Sequence, residues 1–129
     1  MPLYIISSKT GLSHAQKQAL SSTIVDTHCG LTQAPRSFVN VVFSEKFPLR
    51  KRYDLDILGM VRKGRSDQVN KTLEALLRNN ICNTINLTEQ RLNTTLLEVP
   101  ASWVMEGGNL IPEPGEEADC DWLTPQHPV

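Results

Sequence analysis

A basic stripe, a membrane-length apolar run and a cysteine framework are all missing from this sequence. Thirteen lysines and arginines stand against fourteen aspartates and glutamates, for a net charge of −1. A protein that neutralises phosphates carries a positive face, so no nucleic-acid partner is expected. No stretch reaches the ~18 consecutive apolar residues that read as a bilayer span, which argues against a membrane protein. The opening Met-Pro-Leu-Tyr-Ile-Ile-Ser-Ser has no basic region before its short apolar run and no small-residue cleavage site after it, so secretion is not signalled. Cys29, Cys82 and Cys120 are odd in number and unclustered, which fits neither a disulfide framework nor a zinc site. They read as free thiols of a soluble, cytoplasmic protein without a metal.

With 40% hydrophobic residues in 129, the chain can bury one core, and residues 1–129 are expected to form a single domain. The β-branched apolar run at 3–8 follows directly on Pro2 and predicts a strand. Ser13-His14-Ala15-Gln16 is a capping box that opens a helix over 14–29. Its inward stripe is Leu20, Ile24, His28 and Leu31, with Gly30 as a left-handed stop. The turn Gln33-Ala34-Pro35-Arg36 then leads into a strand at 37–43.

The same order returns in the second half. A strand at 55–61 precedes a helix capped by Ser66, with the stripe Val69, Leu73, Leu76, Leu77 and Ile81, and a strand follows at 92–98. Parallel crossovers need roughly 10–12 connecting residues and share one hand, which both halves satisfy. The fold expected is α/β (α+β): two fused β-α-β units, at 2–45 and 55–98, forming a four-stranded sheet with two helices on one face. A C-terminal hairpin or arm follows, and the acidic, proline-containing stretch 113–129 reads as a tail. The strands are apolar on both faces, so the bare face of the sheet calls for burial against copies of the same chain.

Four places carry candidate chemistry. Removal of Met1, which a small second residue permits, would leave Pro2 with a secondary amine held rigidly at a strand start. Burial and nearby cations lower an amine's pKa, turning it into a general acid or base at neutral pH. Arg62-Lys63-Gly64-Arg65-Ser66 lies between the third strand and the second helix, where two arginines and free helical amides suit a carboxylate or phosphate. Lys63 is expected to point inward less than its neighbours. His28 sits near a helix C-terminus, a place that favours a cation, and Glu106 follows the apolar Trp103-Val104-Met105, a setting that favours a raised carboxyl pKa.

Taken together, Pro2-Leu3-Tyr4, Asp26-Thr27-His28, Arg62-x-Gly64-Arg65-Ser66, Glu98-Val99-Pro100 and Glu106-x-Gly108 with Leu110-Ile111-Pro112-Glu113-Pro114-Gly115 resemble the cis-3-chloroacrylic acid dehalogenase group of the tautomerase superfamily. The resemblance extends from Pro2 to about Gly115. It implies a cofactor-independent enzyme and a homotrimer, with Pro2 as catalytic amine and Arg62 and Arg65 binding a small carboxylate substrate. It further implies that His28 assists at that end, Glu106 activates water, and Tyr4 lines the site. Where the dehalogenase pattern has a second tyrosine this chain has Thr95, which the resemblance implies as a smaller wall residue of the substrate-binding site, and the 44–54 connection is shorter. The activity implied is therefore tautomerisation or hydration of an unsaturated or enolisable acid, with at most weak dehalogenation. The alternative is a binding or signalling protein on the same scaffold, comparable to macrophage migration inhibitory factor.

Overall fold

The structure, a computed structural model, describes residues 1–113 and 116. Most of the expected tail at 113–129 lies outside the described residues. Strand β1 (Leu3–Ser8), helix α1 (His14–Thr32) and strand β2 (Asn40–Ser44) form the first unit, and β3 (Leu55–Arg62), α2 (Asp67–Ile85) and β4 (Leu92–Val99) the second. A two-residue-per-strand hairpin, β5 (Met105–Glu106) and β6 (Asn109–Leu110), completes the described chain. The sheet order is β2-β1-β3-β4. Each unit is internally parallel, and the units join through antiparallel β1 and β3, with Leu3 opposite Met60 and Ser8 opposite Leu55.

Strand periodicity places the core on one face. Tyr4 and Ile6 of β1, Leu55, Ile57 and Val61 of β3 and Leu92 of β4 are buried with Leu20 and Ile24 of α1 and Leu73, Leu77 and Ile81 of α2. Both helices therefore cover the same side of the sheet. The other face carries Leu58 and Met60, half-buried, and Val42 and Leu97, each 50% exposed. No helix among the described residues is long and apolar enough to cross a membrane, and Cys29 and Cys82 are free thiols.

Both serine caps form as expected. Ser13 Oγ accepts from the Gln16 amide while Gln16 Oε1 accepts from the Ser13 amide, and Ser66 Oγ accepts from the Val69 amide. Each cap satisfies an amide that the helix leaves unpaired. The helix ends differ from expectation. Gly30 lies inside α1, which runs to Thr32 and stops at Gln33 in the left-handed region (φ 63°), its amide donating to the Cys29 carbonyl at 2.9 Å. Helix α2 closes in the same way on Asn86 (φ 55°). A side chain that packs favourably beyond Gly30, here the half-buried Leu31, carries the helix past a residue that could have stopped it.

One strand boundary and one helix face are also corrected. Residues Arg36–Phe38 form a 3-10 turn rather than the start of a strand, with Pro35 (φ −60°) ahead of it. Strand β2 starts at Asn40, whose amide donates to the Pro2 carbonyl at 3.0 Å. On α2 the buried stripe is Leu73, Leu77 and Ile81, and Leu76 lies on the flank, 38% exposed. The difference has a measurable consequence. Leu77→Ala should cost roughly 2–5 kcal/mol and Leu76→Ala less than about 1 kcal/mol, read from urea unfolding at one fixed protein concentration. Equal costs for the two would contradict the placement of Leu76 on the flank.

Candidate active site

The N-terminus, the end of β3 and the end of α1 meet at one end of the sheet. Pro2 is buried ahead of β1 and tied to β2 through its carbonyl. At the end of β3, the Lys63 amide donates to the Val99 carbonyl at 2.9 Å, Gly64 takes a positive φ of 120°, and Arg65 brings the chain to the Ser66 cap of α2. A cavity of about 440 Å³ opens there, lined by Pro2 with Met1, by Arg62, Lys63 and Arg65, and by the segment after α1 that includes Ala34, Pro35 and Phe38. None of its described lining residues is acidic. Lys63 borders the cavity with its side chain exposed, whereas Arg62 and Arg65 are half-buried. The turn at Gly64 folds Lys63 and Arg65 into a local bridge, which brings all three cations to one mouth.

Among the described residues, every charged side chain that lines the cavity is positive. Burial and the neighbouring Arg62 charge both press the Arg65 pKa down, yet a guanidinium stays protonated in proteins. Two cations held close, one of them half-buried, make an environment that an anion relieves. The Glu106 carboxylate of β5 lies at the adjoining chain end, where it pairs with the Met1 amino group. Glu106 is therefore one residue away from the nitrogen of Pro2.

Below the cavity lies a buried pair. His28 and Tyr4 are both 0% exposed, with Tyr4 Oη 2.7 Å from His28 Nδ1 and the rings edge-on at 5.7 Å between centroids. Burial, followed by the charges of Arg65 and the amino terminus, lowers the His28 pKa from 6.5 to about 4. The expectation of a cation at this helix end is corrected. His28 sits a full turn inside α1, out of water, and its nearest charges are positive, so desolvation and repulsion outweigh the helix dipole. Burial pushes the Tyr4 phenol well above its ordinary range, only partly offset by Arg65. His28 Nε2 has no hydrogen-bond partner among the described residues, an arrangement that generally costs about 1–3 kcal/mol.

Four candidate residues, His28, Glu106, Tyr4 and Thr95, are not in the lining of the cavity. Tyr4 is beneath it, against His28, rather than in its lining. Thr95, expected as a substrate-binding residue, is exposed on the bare face of β4, opposite Leu58. Sequence reasoning missed the wall after α1, and it missed Gly59. A Cβ at Gly59 would come within 2.6 Å of Tyr4 Cε1 and 2.8 Å of Leu96 Cδ2. A glycine inside an otherwise apolar strand is the signal that could have exposed such a close approach.

The depressed His28 pKa fixes the sign of a pH effect. The unfolded chain takes up a proton as pH falls through 6.5, whereas the folded chain does so only near 4. Stability tied to neutral His28 is therefore complete above pH 6.5 and lost progressively down to about 4, a loss on the order of 3 kcal/mol. His28→Gln should flatten the stability profile across that interval relative to the parent chain, measured by denaturant midpoints at half-unit pH steps. An unchanged profile in the variant would show that His28 is not the group responsible.

No protein-family model matches the chain, and no curated protein does. Solved structures match over nearly the whole chain. N1, a member of the cis-3-chloroacrylic acid dehalogenase family, is 23% identical, with a TM-score of 0.84 over 96% of this chain and 93% of its own. A protein captured after inactivation by 2-oxo-3-pentynoate is 22% identical, with a TM-score of 0.74 over 84% and 94%. A fused 4-OT solved as an asymmetric trimer is 19% identical, with a TM-score of 0.75 over the same shares. The fold of this chain, two β-α-β units fused around one mixed sheet, is the fold of these structures, a cis-3-chloroacrylic acid dehalogenase family member and a fused 4-OT among them.

Proposed function

We propose that the chain is a cofactor-independent tautomerase or hydratase of the cis-3-chloroacrylic acid dehalogenase-like group, acting on an unsaturated or enolisable carboxylate through the amine of Pro2 once Met1 is removed. The observation that carries this reading is the meeting of Pro2, Arg62 and Arg65 in one cavity, with the Glu106 carboxylate at the amino terminus. The arginines supply a fork for the substrate carboxylate, and the buried start of β1 supplies a fixed amine. Holding both reactants in place is itself a large part of such catalysis.

In the neutral form, Pro2 nitrogen takes the proton from an enol hydroxyl and returns it to the neighbouring carbon, giving the keto acid. In the protonated form, it gives its proton to the carbon next to the carboxylate. Glu106 then accepts a proton from the water whose oxygen bonds to the next carbon. The arginine pair stabilises the negative charge that spreads toward the carboxylate in either case. Thr95, exposed on the far face within one chain, offers nothing to the leaving group of a haloacrylate in this cavity, which fits weak dehalogenation at most.

A homotrimer belongs to the same proposal. Val42 and Leu97, each 50% exposed on the uncovered sheet face, supply an apolar surface for subunit contact, and a fused 4-OT of like fold is a trimer.

Incubation with 3-bromopropiolate, an electrophilic acetylenic acid, followed by intact-mass measurement and peptide mapping tests the reading. One label is expected on Pro2 of a chain lacking Met1. Arg65→Ala should abolish labelling at the same reagent concentration and lower kcat/KM for a 2-oxo acid roughly 10–100-fold, the worth of a charged hydrogen bond. Retention of Met1 in the purified protein, or modification elsewhere, would falsify the role of Pro2 and leave the fold as a binding scaffold.

A further inference from the structure

We infer that Tyr4, seated through the missing side chain of Gly59, is a positioning residue that fixes the tautomer of His28, so that the ring which the family resemblance already implies at the carboxylate end carries its hydrogen on Nε2. The inference rests on the proposed carboxylate site and extends it to residues outside the cavity lining.

Gly59 of β3 faces Tyr4 of β1 in the antiparallel register and Leu96 of β4 in the parallel one. With a Cβ there at 2.6 Å from Tyr4 Cε1 and 2.8 Å from Leu96 Cδ2, the tyrosine ring could not lie where it does. It would have to tilt toward the helices, where the His28 ring is 5.7 Å away by centroids. Gly59 thus sets the position from which Tyr4 Oη reaches His28 Nδ1 at 2.7 Å.

Proton bookkeeping follows from that bond. The phenol hydrogen has no other acceptor among the described residues, so the proposed arrangement places it in this bond and makes Nδ1 the acceptor. A neutral imidazole that accepts at Nδ1 carries its hydrogen at Nε2. That N–H is buried and has no acceptor among the described residues. The charged groups that act on the ring, Arg65 and the amino terminus, are themselves donors and cannot satisfy it. Thr32, one turn beyond His28 and bonded back to its carbonyl through Oγ1 at 2.8 Å, already lines the cavity. A buried donor surrounded by donors beside a cationic cavity is completed by an anionic oxygen.

The test is nitrogen NMR on the full chain labelled at histidine, recorded at pH 7. The inference expects His28 to show a protonated Nε2 and an unprotonated Nδ1, and Tyr4→Phe and Gly59→Ala to convert this into a tautomer mixture. It also expects the Nε2–H resonance to move when Pro2 carries the 3-bromopropiolate label. In steady-state turnover each variant should lose about tenfold in kcat/KM. Tyr4→Phe should cost nothing further in a chain already carrying His28→Gln, whereas a merely structural tyrosine would add its loss. A hydrogen on Nδ1 in the parent chain overturns the inference and leaves the role of Pro2 untouched. An unlabelled Pro2 overturns the proposed function, while the tautomer measurement decides the Tyr4–His28 relation by itself.

Discussion

Everything at this site depends on the antiparallel pairing of β1 with β3. That junction sets Leu3 opposite Met60, so the chain's first strand begins where its third ends. Pro2 is thereby placed beside Arg62 and the β3–α2 connection. Parallel pairing inside each unit does the rest. A crossover helix runs counter to its strands, so the end of α1, with His28, Thr32 and Pro35, returns to the end where β1 starts. Strand β4 runs with β3, Val99 opposite Arg62, and delivers the chain to Glu106 at that same end. Five segments distant in sequence converge because of strand direction alone, and a slip of the central pair by one residue would turn Tyr4 from the core to the bare face.

Local signals made much of this legible. The serine caps and the repeat of strand, helix and strand are set by contacts within a few residues, and both formed. The candidate residues Pro2, Arg62 and Arg65 were readable because the residue type and its neighbours in the chain already limit what they can do. The errors fall where burial decides. Gly30 looked like a stop because local propensity ignores what Leu31 gains by continuing the helix. Leu76 looked inward because a stripe three residues wide hides which edge faces the partner helix. The wall from Ala34 to Phe38 depends on a 3-10 turn and on the distance between segments, neither of which composition reveals.

His28 is the most instructive of these differences. Read from the helix alone, a histidine near a C-terminus should favour its charged form, because the unpaired carbonyls there are partly negative. The folded environment reverses that preference. Two arginines already crowd the site, one of them with its own pKa pressed down by burial and by the other. A third positive charge, out of contact with water, would add repulsion and lose hydration at once.

A neutral ring escapes both costs while still presenting a hydrogen. The electrostatics of the corner therefore divide into two kinds of donor. In the proposed function the guanidinium groups attract a carboxylate over distance and hold it, and in the proposed tautomer the imidazole contributes direction without charge. Such a donor matters most when the ligand's own charge moves during reaction, since it strengthens as density accumulates on the oxygen it faces and does not overstabilise the ground state beforehand. Its orientation must be fixed in advance to be of use, and a ring free to exchange tautomers would present an acceptor half the time. That requirement gives physical meaning to a buried tyrosine that touches no solvent and to a glycine in the middle of a strand, two residues whose energetic cost to the fold is otherwise unexplained.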